Sequence, residues 1–509
     1  MNPSLNDAQR VTRNSLAQLA NFLAVSVSKF LIVVAIARFR GVEEVGAFSF
    51  VLTFVMTFGV LNHMGLLLLL VRDIGFHREH VHPYVGNALT MSLGLGAIGI
   101  ITMPTIVWLL GYPSMIVEAV ALAAVAMAID TWGNILNAGF GGHERMDLSA
   151  FAIILQETAF FIVGAVVLIL HLPFMTIFVV YVISRLVGLG SSTWLYRRHW
   201  GQWPRLRFDM HLQRQLGRKT LPYAFSMAMS PIFARVDILL LSYLRNTVEV
   251  GLYEVASILF YRLNVLARMF SVAMLPLIAR QYGQIGRGVV KYVRPTMKLQ
   301  AALALPISVG GWLLSAPLIG FIFGAQFMVA ATAFQLMALM TLLRFWDTSL
   351  GLTLTALDKQ NVRALMMGLG AAFNVGLNLW LIPRFGYMGA AYSSVLSEIA
   401  VFAGFWWAIR RELDEPIPWH SLGRLLAAAL LMGGVVWLVR ATLPLPLTIA
   451  VGVIAYTSGV IGLRALSPQE TVHLLRILRI RRVPTPVRRL LRLPATEAWA
   501  FSAAKGEIE

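Results

Sequence analysis

Apolar residues run along this chain in blocks of about 20, the length that lets a helix cross a hydrocarbon core about 30 Å thick. Fourteen such blocks can be traced, centred near Val25, Phe58, Gly96, Met127, Phe161, Ser184, Ile232, Leu259, Val309, Leu339, Phe373, Leu396, Leu431 and Ile454. The fourth and tenth are harder to delimit, because charged or amide residues fall near their middles. The pattern predicts an all-α integral membrane protein of about fourteen transmembrane helices. The first block lacks the short apolar core and cleavage site of a signal peptide and is expected to stay as a membrane helix.

Basic residues orient the spans. With the N-terminus cytoplasmic, the inside segments hold 31 Lys and Arg, and the outside loops hold only five: Arg38, Arg40, Arg245, Arg384 and Arg440. The other six of the 42, Lys29, Arg185, Arg235, Arg262, Arg268 and Arg344, fall within spans. That asymmetry predicts both termini on the cytoplasmic side of a cell membrane and an even number of spans. The longest inside loop separates two blocks of six spans that echo one another. Arg40 to Phe48 (RGVEEVGAF) leads into the second span, and Arg245 to Tyr253 (RNTVEVGLY) leads into the eighth. Pro83 and Pro295 stand at matching entries to the third and ninth. A repeat in parallel orientation predicts two pseudo-symmetric lobes related by an axis along the membrane normal. The expected organisation is an N-lobe over 1–195, a basic cytoplasmic linker over 196–219 and a C-lobe over 220–411. Two extra helices over 412–466 and a basic amphipathic tail over 467–509 complete it. The tail alternates leucine and isoleucine with arginine, a pattern suited to the anionic inner leaflet or to simple positive-inside anchoring.

Composition agrees with the pattern: the 509 residues are 58% hydrophobic and 13% charged, with a mean hydropathy of +0.73. The net charge of +18 lies mainly in loops and tail. The absence of cysteine excludes disulfides, thiolate metal sites and cysteine nucleophiles. Gly94 to Gly99 (GLGAIG) matches a dinucleotide fingerprint in letters only, since it lies mid-span with no preceding strand; small residues so spaced serve close helix packing. His77, His80 and His82 crowd one inside loop, where a hydrated interface accounts for them better than a zinc site lacking a fourth ligand. The outside loops are too short for a catalytic domain, so neither an enzyme nor a resident cofactor or metal is expected.

The informative residues are charges inside apolar spans, each costing roughly 2.5–3.5 kcal/mol at the centre of a membrane helix. Leu221 to Arg268 is the densest stretch, with Arg235, Asp237, Glu254, Arg262 and Arg268 in two spans joined by a short polar link. Lys29 lies deep in the first span beside a stripe of Asn14, Gln18, Asn21 and Ser28. Arg344 and Asp347 share a face of the tenth span and can pair with each other. Lys29, Arg235, Arg262, Arg268, Arg344 and Asn21 are the candidates for contacting an anionic substrate in a cavity. Asp130, Glu157, Asp237, Asp347 and Glu398 are candidates for carrying a proton or sodium ion, with structural pairing to nearby arginines an equal alternative.

The chain resembles the polysaccharide-export (Wzx-type) flippases of the multidrug/oligosaccharidyl-lipid/polysaccharide (MOP) exporter superfamily. The resemblance is carried by Ala37-Arg38 with Val45 to Phe48, Arg72-Asp73, Arg235 to Asp237, Val250 to Tyr253 through Ala256, and Leu275-Pro276. Phe323-Gly324 with Phe327 and Ala330-Ala331 follow, and the most specific stretch is Asn374 to Glu398, containing Leu381 to Ala391 (LIPRFGYMGAA). The resemblance implies a transporter that moves a polyprenyl-pyrophosphate-linked oligosaccharide from inner to outer leaflet by alternating access, without ATP. It implies cavity arginines and lysines for the pyrophosphate and coupling to a proton or sodium gradient. The long basic tail departs from the pattern and suggests a docking surface for polysaccharide assembly proteins. Nucleic acid is not an expected partner. A lipid II flippase of the same superfamily is the main alternative; a multidrug exporter fits six intramembrane bases less well, and a non-transport scaffold would tolerate their loss.

Overall fold

A computed structural model describes residues 7–263, 290–410 and 419–466. Every regular element among them is helical, as a chain in lipid requires when each backbone N–H and C=O must find its partner internally. α1 (Asp7–Phe39) leads to three shorter pieces, α2 (Val42–Phe58), α3 (Val60–His63) and α4 (Leu66–Phe76). Long helices α5 (Val81–Leu109), α6 (Ser114–Gly142), α7 (Met146–Ile169), α8 (Met175–Trp200) and α9 (Met210–Leu244) follow. A further helical stretch, α10, covers residues 247–263. Beyond it come α11 (Val290–Leu313), α12 (Ser315–Phe323), α13 (Ala331–Leu339), α14 (Thr341–Ala356), α15 (Gln360–Phe385), α16 (Tyr387–Ile409), α17 (Trp419–Val439) and α18 (Leu445–Gly462).

Among the described residues nine helices are long and apolar enough to cross a membrane. Two bent pairs, broken by 76° at Leu314 and by 43° at Met340, raise that to eleven. The fourteen expected spans are therefore not all found as single straight helices. The second is split at Gly59 and again at Met64-Gly65, whose φ values of 43° and 78° take the left-handed region. The seventh and eighth fall on α9 and α10. Arg268 and the tail 467–509 lie outside the described residues.

Two compact units divide the chain, Met1–Glu254 and Val255–Glu509. In the first, Leu66, Leu69, Val85, Leu136, Phe140 and Tyr196 form a core among α4, α5, α6 and α8. Phe140 and Trp200 stack at 5.1 Å. Backbones approach most closely where α2 meets α10. A Cβ on Gly46 would lie 1.7 Å from the Thr247 carbonyl oxygen, and one on Gly251 would lie 2.2 Å from that of Val42. These glycines are the matching members of the repeated VGAF and VGLY segments. Small residues that admit such approaches replace the missing hydrophobic drive for helix association in lipid.

In the second unit Met297, Leu305, Leu350, Leu354, Phe405 and Leu425 pack together from α11, α14, α16 and α17. The Trp346 indole donates to the Met297 carbonyl at 2.9 Å, which satisfies the one polar atom of that buried ring. The α15–α16 hairpin turns at Gly386 (φ 58°). It stays tight because Gly389 sits where a Cβ would lie 2.4 Å from the Leu381 carbonyl oxygen. The distinctive stretch Leu381 to Ala391 is thus a close interhelical turn. α18 is peripheral, with only 11% of its span buried, against 44% for α8.

Candidate functional site

In the first unit the intramembrane charges converge. Asp130 on α6, Glu157 on α7 and Arg185 on α8 are brought together because these three helices pack side by side. Arg185 Nη1 donates to Glu157 Oε1 at 2.8 Å and to Asp130 Oδ1 at 3.3 Å. Gln156 Nε2 and Asn134 Nδ2 donate to the two Asp130 oxygens at 2.9 and 2.8 Å. The guanidinium also lies 4.4 Å over the Tyr181 ring, adding a cation–π contact. Arg185 and Glu157 side chains are 5% and 3% exposed, and Asp130 is 22% exposed. One guanidinium thus serves two carboxylates and leaves a net negative charge when both are ionised.

α1 joins this group through Ser28, whose hydroxyl donates to the Glu157 carbonyl oxygen at 2.9 Å. Part of the predicted polar stripe is therefore an interhelical seam. Asn21 is half-buried with its Oδ1 buried and without a hydrogen-bond partner, and Lys29 is half-buried and engaged in a polar interaction.

The stretch singled out in the sequence pairs its own charges across α9 and α10. Arg235 Nη1 donates to Glu254 Oε2 at 2.6 Å, and the Tyr253 hydroxyl donates to Asp237 Oδ2. Asp237 Oδ1 also caps the Ile238 amide at 3.0 Å. Arg262 is half-buried near the end of the described part of α10.

The second unit carries a comparable arrangement. Arg344 on α14 donates to Glu398 Oε2 on α16 at 2.9 Å, so it pairs across helices rather than with Asp347 three residues on. Asp347, one turn further along α14, is buried, and both of its oxygens are without a hydrogen-bond partner. Beside them Asn374 and Asn378 on α15 bond to each other at 2.9 Å. Asn374 also donates to Ser393 and Ser397 on α16 at 3.3 and 3.2 Å. Asn374→Ala is expected to destabilise by about 1–2 kcal/mol, in the range measured for interhelical hydrogen bonds in membranes. An unchanged midpoint of thermal unfolding in detergent would refute that.

Sequence reasoning placed Arg185 in a span and Glu254 in the charged stretch without giving either a role. The available signal was that each deep charge requires a partner, and Arg185 and Glu254 are partners of residues already singled out. In the loop, His77, Glu79 and His80 bring three possible ligand atoms within 4.8 Å of one another, all on exposed side chains. His82 instead contacts the Tyr196 hydroxyl at 2.6 Å. His143, just past α6, has its pKa lowered by burial, which outweighs its bond to the Gly139 carbonyl.

A family model described as polysaccharide biosynthesis protein matches residues 11–281. A probable low-salt glycan biosynthesis flippase, Agl15, from Haloferax volcanii is 23% identical over 264 residues, covering 49% of this chain and 54% of the relative. The chain thus spans about half the length of this curated relative. Among solved structures, the lipid II flippase MurJ in an inward closed conformation superposes with a TM-score of 0.70 at 12% identity, covering 91% of this chain and 99% of MurJ. An inward-facing multidrug resistance MATE family transporter of the MOP superfamily gives 0.57 at 16% identity, covering 78% and 94%. A MOP superfamily transporter from Pyrococcus furiosus gives 0.53 at 15%, covering 80% and 97%. These structures establish the MOP transporter fold, and the named relatives are flippases and transporters rather than enzymes.

Proposed function

This chain belongs to the polysaccharide biosynthesis protein family, and from that premise we propose that it translocates a polyprenyl-pyrophosphate-linked oligosaccharide from the inner to the outer leaflet by alternating access. The observation that carries the reading is how its arginines are held. The Arg235 and Arg344 side chains remain 33% and 41% exposed, while their carboxylate partners Glu254 and Glu398 are 6% and 9% exposed. A buried carboxylate fixes the guanidinium and leaves its accessible part oriented, a suitable arrangement for phosphate oxygens. With Lys29, Asn21, Arg262 and Arg268 these form the substrate-contacting set. The polyprenyl tail stays in lipid while the sugars cross in water. The glycan flippase among its relatives supports this cargo class, and MurJ supports lipid II as the second reading.

Asp130, Glu157, Asp237, Asp347 and Glu398 are the groups through which a proton or sodium ion would couple. Asp347 is the clearest case, because a buried carboxylate whose oxygens find no donor is most readily satisfied by a proton or a cation. The excess of basic residues on one side supports both termini in the cytoplasm, and the tail is assigned to the inner leaflet or to assembly proteins.

The test is translocation in reconstituted vesicles, scored by access of an added lectin to the lipid-linked glycan. Arg344→Ala should slow translocation by about 10- to 100-fold, the loss of a charge-assisted hydrogen bond of about 1.5–3 kcal/mol, with Arg344→Lys intermediate. Wild-type rates after neutralising Lys29, Arg235 and Arg344 together, in protein of normal yield, would sink the reading. Faster movement of lipid II than of the oligosaccharide would favour the second one.

A further inference from the structure

The basic linker between α8 and α9 is not a loose tether. Its backbone is fastened to the first turns of α5. The Arg207 amide donates to the Gly86 carbonyl at 3.2 Å, and Thr90 Oγ1 donates to the Arg207 carbonyl at 2.8 Å. The Asp209 amide donates to Asn87 Oδ1 at 2.8 Å, and Gln213 Nε2 donates to the Asn87 carbonyl at 2.8 Å. Gly86 permits this approach, since a Cβ there would lie 2.6 Å from the Arg205 carbonyl oxygen.

Residues 205–210 read Arg-Leu-Arg-Phe-Asp-Met, a strict alternation of charged and apolar side chains. Residues 203–209 carry no helix, and in extended backbone that alternation places the two kinds on opposite sides. The Arg207 stem packs within 3.0–3.1 Å of where a Gly86 Cβ would be, so that stem lies against α5, while the Arg205 side chain stays exposed. Leu206 and Phe208 then face away, at 61% and 69% exposed, with Trp203 and Met210, the first residue of α9, at 52% and 60%. Arg197 caps the Trp203 ring at 4.5 Å, and Arg198 lies 5.2 Å over Trp194.

The depth of this strap follows from helix geometry. At 1.5 Å per residue a hydrocarbon core of about 30 Å takes up about 20 residues, which counted back from Leu109 reach Thr90. Gly86 to Thr90, and the strap against them, therefore lie where acyl chains meet headgroups. Large apolar side chains interleaved with arginines suit that boundary, and the arginines suit anionic headgroups.

We propose that residues 203–210 are an interfacial strap that seats Leu206, Phe208 and Met210 in an anionic phospholipid leaflet, with Arg197, Arg198 and Arg205 on the lipid phosphates. The site is separate from the intramembrane charges, and it rests only on the chain spanning a membrane, so failure of glycan translocation leaves it standing. The linker joining the two expected lobes is then held by both protein and lipid.

The chain has no cysteine, so Phe208→Cys, at an exposed position, accepts a single environment-sensitive label in the full-length protein. It is placed in nanodiscs of phosphatidylcholine with or without phosphatidylglycerol. A spin-labelled lipid with a shallow nitroxide should quench the label several-fold more than aqueous iodide does, and phosphatidylglycerol should strengthen that quenching. Arg197→Gln/Arg198→Gln/Arg205→Gln should remove the phosphatidylglycerol dependence. Iodide quenching equal to that at Glu79→Cys, an exposed loop reference, would overturn the proposal. Protection from both quenchers would mean that protein covers the strap and would also overturn it. Equal lipid quenching with and without phosphatidylglycerol would overturn the choice of an anionic partner.

Discussion

Gly251→Val is expected to leave little folded protein in the membrane, whereas Gly94→Ala should be nearly silent. Both glycines lie in helices, where alanine is intrinsically better by about 1 kcal/mol. Their surroundings decide the outcome. Nothing lies within 4 Å of a Cβ at Gly94, while one at Gly251 would enter the Val42 carbonyl at 2.2 Å. A backbone oxygen cannot rotate aside as a side chain can, so α2 and α10 must separate. Overpacking in a well-packed core costs about 1–3 kcal/mol, and a branched side chain against backbone falls at or above the top of that range. Even Gly251→Ala should be a net loss. Membrane yield and the unfolding midpoint in detergent measure this, and wild-type values for Gly251→Val would show that the crossing yields easily.

Arg185→Ala should be the second large effect, a loss of about 3–5 kcal/mol, because it strands two carboxylates that were paired. Arg185 and Glu157 are almost wholly buried, so water cannot replace the lost partner. Neutralising the group together, as Arg185→Met with Asp130→Asn and Glu157→Gln, should recover most of that loss, since removing a buried ionic set whole is often close to neutral. The comparison separates stability from transport: Arg344→Ala, at a more exposed arginine, should slow translocation more than it lowers the unfolding midpoint. A triple variant no more stable than Arg185→Ala would mean that the residues act through packing rather than charge.

Much of this architecture was legible because lipid simplifies the code. Apolar blocks of about 20 residues, repeated along a weakly charged chain, mean membrane helices. The repeat was visible in VGAF and VGLY because both copies carry the glycine that close packing demands. The broken second span was not, since Met64 gives no advance sign of a left-handed backbone. The charged residues were visible as anomalies, but their pairings were not. Asp130 and Arg185 are 55 residues apart in sequence, and nothing in the spacing says that α6 and α8 turn those faces together. Arg344 illustrates the limit: a neighbour three residues on suggested a local pair, and the cross-helix partner Glu398 took the bond. In the sequence, residues 205–210 register only as positive charge, and their alternation gains meaning once residues 203–209 are seen to be non-helical and bonded along α5.

The contact between Gly46 and Gly251 has a further consequence. The two residues stand one repeat period apart, so a motif touches its own copy. Each glycine leaves its Cα against the backbone of the other segment, Gly46 at Thr247 and Gly251 at Val42. A side chain at either position therefore strikes the same crossing from opposite sides. The two sites are one constraint written twice in the sequence, and a glycine kept at one cannot relieve a side chain added at the other.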